Sequence, residues 1–158
     1  MANTQSMCTS FMGELMTATH NFGASPTRAG ATADTFKAAL YLASATVNAA
    51  TTAYSSTGEV TGTNYVAGGV TVTNATAPLA SNSSATAGVA YWTPSASITY
   101  TTVTLSTAFD SVLIYNSTQS DKAVSVHTFG SQTITAGTFT LTMPSNTTST
   151  GLLRLATT

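Results

Sequence analysis

The second half of the chain consists of short β-branched and aromatic runs separated by turn residues, and this pattern restricts the fold more than any other feature. The runs are Ser97–Leu105, Asp110–Tyr115, Ala123–Phe129, Thr138–Met143 and Gly151–Leu155. The segments between them, including Gly130–Gln132 and Ala136–Gly137, are predicted turns. Short strands with a turn signal about every 8 to 12 residues are typical of antiparallel sandwiches, and no helical spacers for parallel βαβ units occur. The sequence therefore predicts a mainly β fold, an antiparallel, jelly-roll-like β-sandwich.

The first half of the chain adds two predicted strands and a loop. Thr35–Leu42 alternates weakly between polar and apolar residues, and Val70–Thr73 alternates strictly after a Gly-Gly pair. The segment Thr76–Gly88 is rich in Ser, Thr and Asn and is predicted to be a loop. In the last strands Phe139 and Leu141 alternate with threonines, which predicts one apolar and one hydroxyl-bearing face.

The N-terminal segment differs because its apolar residues recur at helical spacing. They are Met7, Phe11, Met12, Leu15 and Met16, and they predict one short helix between Met7 and His20. A helix of this length is marginal in isolation, so its apolar stripe has to dock on another surface. The turn-rich stretch Asn21–Asp34 is predicted to be a linker.

A chain of 158 residues is the right size for a single domain with one core. Within it, we expect residues 1–34 to form the helix and linker arm and residues 35–158 to form the β-sandwich. Cys8 is the one cysteine, so no internal disulfide bond can contribute to stability.

Charge is scarce throughout the chain. Four Lys or Arg and five Asp or Glu make up 6% of the residues, whereas about 25% is usual. The 35 threonines and 19 serines supply most of the polar groups instead. Four scattered cations cannot neutralise a run of phosphates, so neither nucleic acid nor an anionic membrane is an expected partner. Near-zero net charge removes the self-repulsion that keeps proteins dispersed, which favours association with other chains.

The N-terminal residues contain neither the basic nor the apolar region of a signal peptide, so synthesis in a cytoplasm is expected. No run of about 18 apolar residues occurs, and a membrane span is therefore not predicted.

Titratable residues are too few and too scattered to indicate an enzyme. The sequence has two histidines, His20 and His127, and it contains no Gly-x-Ser-x-Gly, His-Glu-x-x-His or phosphate-loop motif. His20 is expected to interact with the C-terminal end of the helix, and Cys8 to be a small buried side chain. We therefore predict no catalytic activity, no cofactor and no metal site.

The residues that we expect at an interface are the methionine-rich helical stripe and a neighbouring aromatic pair. They are Met7, Phe11, Met12, Leu15, Met16, Tyr91 and Trp92. Methionine surfaces pack adaptably against partners, and aromatic residues are common interface anchors. Two alternatives remain open, because the stripe could equally close the β domain's own core and Trp92 could be a core residue.

Several stretches together resemble a group of small virion structural proteins encoded by tailed bacteriophages. The matching segments in the first half are Cys8–Phe11, Glu14–Leu15, His20–Phe22, Thr35–Tyr41, Thr52–Tyr54, Gly58–Val60 and Gly62–Gly69. Those in the second half are Trp92, Ile114–Ser117, Lys122–Val124, Phe129–Gly130 and Phe139–Pro144. The segments follow the same order and span most of the chain, although the central stretch Ala75–Ser106 has fewer Lys and Asp than other members.

The resemblance implies a capsid decoration or cement protein on the outer surface of the assembled head. Its partners would be the major capsid protein and further copies of itself, most commonly in a homotrimer. The alternative is a receptor- or carbohydrate-binding module associated with a tail or head fibre, in which Tyr54, Tyr65, Tyr91 and Trp92 would be exposed for stacking on sugars.

Overall fold

Strands dominate the structure, a computed structural model that describes residues 2–23, 32–74, 77–81 and 88–157. The elements are β1 (Ser6–Met7), α1 (Thr9–Met16), β2 (Phe36–Leu42), β3 (Val70–Thr71), β4 (Leu79–Ser81), β5 (Val89–Trp92), β6 (Ile98–Asn116), β7 (Lys122–Leu141) and β8 (Leu153–Ala156). The prediction of a mainly β fold with one short N-terminal helix is confirmed.

The strands form two antiparallel sheets. One has five strands in the order β1-β7-β6-β2-β3, and the other has three in the order β4-β5-β8. Phe36 on β2 and Trp92 on β5 lie with ring centroids 6.0 Å apart, so aromatic side chains connect the two sheets. This arrangement is consistent with the predicted sandwich.

The long ribbon formed by β6 and β7 differs from the prediction of four separate short strands. The turn at Ser117–Asp121 does connect them, but Gly130–Gln132 and Ala136–Gly137 lie inside β7 and do not end it. The register between the strands shifts repeatedly between Tyr100 and Ser111. Such register shifts are β-bulges, in which one strand has extra unpaired residues and still continues. The turn-forming residues Gly130–Gln132 and Ala136–Gly137 therefore lie in a bulged part of β7 and not in turns.

Helix α1 is shorter than the predicted segment. It ends at Met16, and Ala18 two residues later has a left-handed φ of 54°. Phe11 is the buried residue of the helix, which confirms that it docks on the rest of the protein.

The segment predicted to be a linker is packed against the core at both described ends. Phe22 and Asp34 are both buried, and the ring of Phe22 stacks on that of Phe36 with centroids 4.4 Å apart. An aromatic side chain in a Gly- and Ser-containing stretch thus anchors the chain to the core. Residues 24–31 lie outside the described residues.

The predicted loop Thr76–Gly88 contains strand β4, while its residues 82–87 lie outside the described part. The predicted two-faced strand is confirmed, because Thr138 and Thr140 are exposed and Phe139 and Leu141 are half-buried. A single cluster of buried side chains extends from Cys8 to Leu153, so the N-terminal segment and the strands share one core.

Candidate functional site

An apolar cleft lies where α1 meets the three-stranded sheet. Its volume is about 70 Å³. Met7, Phe11 and Leu15 line it from the N-terminal segment, Tyr91 and Trp92 from β5, and Leu153 and Leu155 from β8. A water molecule would find few polar partners among these side chains, so the cleft favours an apolar group.

The cleft brings together five of the seven predicted interface residues, but not all of them are accessible. Phe11 and Trp92 are only 1% and 2% exposed and belong to the core, so they support the cleft from beneath and do not themselves offer a contact surface. Met7, Leu15 and Tyr91 are half-buried on its walls. Phe11 therefore packs in the protein's own core, while a contact of Met7 and Leu15 with a partner stays a prediction.

The remaining predicted residues, Met12 and Met16, are exposed on α1. Their side chains are 47% and 87% accessible, and Leu79 on β4 and Leu155 on β8 are also exposed. Of these four exposed side chains, Leu155 lines the cleft, Met12 and Met16 lie on the helix that supplies Phe11 and Leu15 to it, and Leu79 follows the lining residue Pro78. Sequence reasoning missed Leu79 and Leu155 because only the pairing of β4 and β8 with β5 brings them there.

A stack of aromatic rings keeps the floor of the cleft in place. Phe22 meets Trp92 edge-to-face with ring centroids 4.8 Å apart and stacks on Phe36 from the other side. The Trp92 indole Nε1 donates a hydrogen bond to Asn74 Oδ1 at 3.0 Å. Paired rings and a satisfied indole nitrogen make this floor rigid.

Glu14 attaches α1 to the large sheet. Lys122 Nζ, at the start of β7, donates to Glu14 Oε1 at 2.7 Å, and His20 Nε2 lies 2.7 Å from Glu14 Oε2. Partial burial acts to raise the pKa of the Glu14 carboxyl, but the hydrogen bonds with Lys122 and His20 outweigh it and the pKa lies below its usual value.

The buried His20 is not a helix cap but a link between α1 and the ribbon turn. Asn116 Nδ2 lies 3.0 Å from His20 Nδ1 and 2.7 Å from Asp34 Oδ2, while Asn116 Oδ1 accepts from the backbone N–H of Thr118. This orientation makes the amide the donor, so Nδ1 of His20 accepts and its Nε2–H donates to Glu14. The network fixes the angle at which α1 meets the strands.

A second buried carboxylate explains why two candidate sugar-stacking residues are not available. Glu59 accepts hydrogen bonds from Tyr54 Oη (2.6 Å), Tyr65 Oη (2.7 Å) and the backbone N–H of Gly68 (2.7 Å). Burial and these bonds raise the pKa of both tyrosines above its usual value. Tyr54 also stacks on Tyr115 with centroids 4.8 Å apart.

None of the four aromatic residues proposed for sugar stacking is therefore exposed on a loop. Tyr54, Tyr65 and Tyr91 are half-buried, and Trp92 is buried.

Most of the chain's acidic groups are engaged in internal contacts. Besides Glu14, Asp34 and Glu59, Asp110 accepts a hydrogen bond from Asn3 Nδ2 at 2.6 Å. Asp121, at the ribbon turn, is the fifth and is exposed. Four of the five carboxylates thus connect separate parts of the chain.

The nucleophilic and basic side chains are placed unfavourably for catalysis. Cys8 is fully buried, and burial, with a smaller contribution from the Glu14 carboxylate, raises the pKa of its thiol to about 11. Ser125 Oγ lies 2.9 Å from His127 Nε2, but the serine is 1% exposed. A thiol in this state is protonated at neutral pH and inert.

The burial of His127 is expected to make the free energy of unfolding depend on pH. Burial lowers the pKa of its imidazole from 6.5 to about 4, so between these values the unfolded chain binds a proton that the folded chain does not. The free energy of unfolding is therefore expected to fall as the pH drops from about 6.5 to about 4. Urea unfolding measured across this range should show the decline, and the His127→Gln variant should show less of it. An equal decline in both proteins would contradict this assignment.

No family model, curated protein or solved structure matches this chain. In the part of the chain that the structure describes, no group of three or more His, Cys, Asp or Glu side chains could hold a metal ion. None of the described helices has the length and apolar character needed to cross a membrane.

Proposed function

We propose that this chain is a structural protein of a tailed-bacteriophage virion that binds the outer surface of the assembled head and stabilises it. Its principal partner would be the major capsid protein, and further copies of the chain would bind beside it on the outer surface of the head. The chain would be synthesised in the host cytoplasm. The observation that carries the proposal is the apolar cleft, with the exposed Leu155 on its wall and the exposed Met12 and Met16 on the helix that lines it. Clustered exposed apolar residues mark interaction sites.

The near-neutral surface supports a structural role of this kind. Contacts that do not depend on exposed charges are insensitive to salt, because screening acts on Coulombic interactions. A subunit that binds only the assembled shell stabilises that shell by mass action, since each bound copy favours the state that presents its site. Many copies with interfaces of about 1,000 Å² or more would then raise the resistance of the head to heat.

The copy number in purified particles tests the proposed location. Quantitative mass spectrometry of intact virions is expected to find hundreds of copies. A dozen copies or fewer would contradict decoration of the head and favour the alternative, a fibre-associated receptor- or carbohydrate-binding module.

The cleft itself can be tested with Met16→Lys. Met16 is the most exposed hydrophobic side chain of α1, the helix whose Phe11 and Leu15 line the cleft, and a lysine there would have to lose its hydration on docking. We expect binding to heads that lack the protein to weaken about tenfold or more. The matched control is Val66→Lys, which replaces a side chain that is 70% exposed and does not line the cleft. Equal affinities of the two variants would argue against docking through the cleft.

A further inference from the structure

The free edge of β7 is the longest unprotected strand edge in the described chain. β1 pairs with β7 only at Val126 and Ser125, and no described strand or isolated bridge pairs with that side of β7 beyond Val126. The other outer strands have two to four residues each. On the opposite side of the ribbon, Thr63 and Asn64 bond to the backbone of Thr104 and Thr102.

Only part of this edge is suited to pairing with another strand. Between Thr128 and Gly137 the register with β6 shifts repeatedly, and such bulges protect an edge. A further shift between Gly137 and Phe139 places the extra residue on β6 and not on β7. From Phe139 to Leu141 the pairing with Ile98–Tyr100 is regular. A regular edge normally carries a lysine, a proline or an inward charge as protection, but no charged residue occurs between Lys122 and Arg154.

We propose that residues 137–141 of β7 pair antiparallel with the same residues of a second copy of this chain. The two protomers would be related by a two-fold axis perpendicular to the sheet, which would join their five-stranded sheets into one. Five opposed positions supply about four to six backbone hydrogen bonds. This contact differs from the cleft that we propose for binding the head.

The alternation of side chains on β7 makes the edge complementary to itself. A two-fold axis through an antiparallel pair places even-numbered residues opposite even-numbered ones and odd opposite odd. With residues 137–141 opposed, Phe139 lies at the axis and faces Phe139 of the second copy, Thr138 faces Thr140, and Leu141 lies opposite Gly137. Cross-strand pairs of threonines and of apolar or aromatic residues each contribute to sheet stability.

The second copy is favoured as the partner because self-pairing brings identical residues close together. A charge on such an edge would lie near its own copy and be repelled, and this edge has none. The pairing also covers apolar surface, because Phe139 is half-buried and contacts the rings of Phe109 and Phe129, each with centroids 5.1 Å away.

The test is the oligomeric state of the isolated chain, measured by sedimentation velocity over a range of concentrations. We expect a monomer–dimer equilibrium that Thr140→Lys weakens about tenfold or more, because it places two ammonium groups close together across the axis. The matched control is Thr99→Lys on β6. Its hydroxyl lies 3.4 Å from that of Thr140, so it shares the face but lies one strand from the edge.

Three outcomes would overturn the proposal. The first is a wild-type chain that stays monomeric, and the second is a trimer. The third is equal weakening of the dimer by Thr140→Lys and Thr99→Lys, which would indicate that the copies associate by stacking their threonine faces. Amide exchange gives a second readout, because the alternate backbone N–H groups of residues 137–141 that point away from β6 should exchange more slowly in the dimer. Binding of Met16→Lys to heads is a separate measurement, so failure of the two-fold contact would leave the proposed function standing.

Discussion

Replacing Trp92 with alanine is expected to lower the free energy of unfolding by about 3–5 kcal/mol. The side chain of Trp92 is 2% exposed. Its ring contacts the rings of Phe22 and Phe36 and forms part of the lining of the cleft. Its removal leaves a cavity at the junction of the two sheets and leaves Asn74 Oδ1 without the indole donor. Both effects act in the same direction, since lost packing and an unpaired buried acceptor each destabilise a fold.

Urea unfolding followed by far-ultraviolet circular dichroism measures this change without relying on the tryptophan itself. Trp92→Phe is the matched variant, because it retains an aromatic ring but not the indole N–H, and we expect it to lose less than the alanine variant. Val66→Ala, at a site 70% exposed, should change stability by less than about 0.5 kcal/mol. A loss below about 1 kcal/mol for Trp92→Ala would contradict the assignment of Trp92 to the core.

The second large effect is expected at Glu59, where alanine should cost about 3–5 kcal/mol because three hydrogen-bond donors lose their acceptor. This carboxylate accepts three hydrogen bonds, and its removal leaves the buried N–H of Gly68 and the hydroxyls of two tyrosines without their acceptor. Gly68 has a left-handed φ of 86°, which glycine adopts without strain, and in this turn its N–H points at the carboxylate.

Glu59→Gln distinguishes the hydrogen bonds from the shape of the side chain. The amide retains one acceptor oxygen, and a tyrosine hydroxyl can turn to accept from the new NH₂ group, so we expect a loss of about 1–2 kcal/mol. The same urea measurement applies to both variants. Equal losses for glutamine and alanine would show that the hydrogen bonds contribute little and that packing of the side chain dominates.

Glu14 and Glu59 show where a chain with so few charged residues places its carboxylates. Glu14 joins α1 to Lys122 on the distant strand β7, and Glu59 bonds to the turn at Gly68. Each carboxylate accepts hydrogen bonds from more than one partner. Buried charges are tolerated only when they are paired in this way. The surface that remains is neutral, and for that reason the proposed contacts with the head and with a second copy depend on apolar groups and on backbone hydrogen bonds.

The alternation of apolar and hydroxyl residues was sufficient to predict the fold class. The period of two in β7 predicted an exposed threonine face and a half-buried apolar face, because alternate side chains must point to opposite sides of a strand. Helical spacing predicted α1 in the same way, although the helix ends at Met16. The local pattern could not show that Gly130–Gln132 lies within a strand, since a bulge and a turn use the same residues and only pairing with β6 distinguishes them.

The sequence by itself determined the strands, the helix, the absence of an internal disulfide and the candidate residues for an interface. Only the tertiary structure divided those candidates into the buried Phe11 and Trp92, the half-buried walls of the cleft and the exposed Met12 and Met16. It also placed Leu155 in the cleft beside Phe11 and Leu15 and gave His20 and Glu59 internal partners. The physical reason is that the side-chain period is a local property of the backbone. Burial and hydrogen-bond partners depend on segments far apart in the sequence that meet only when the sheets form.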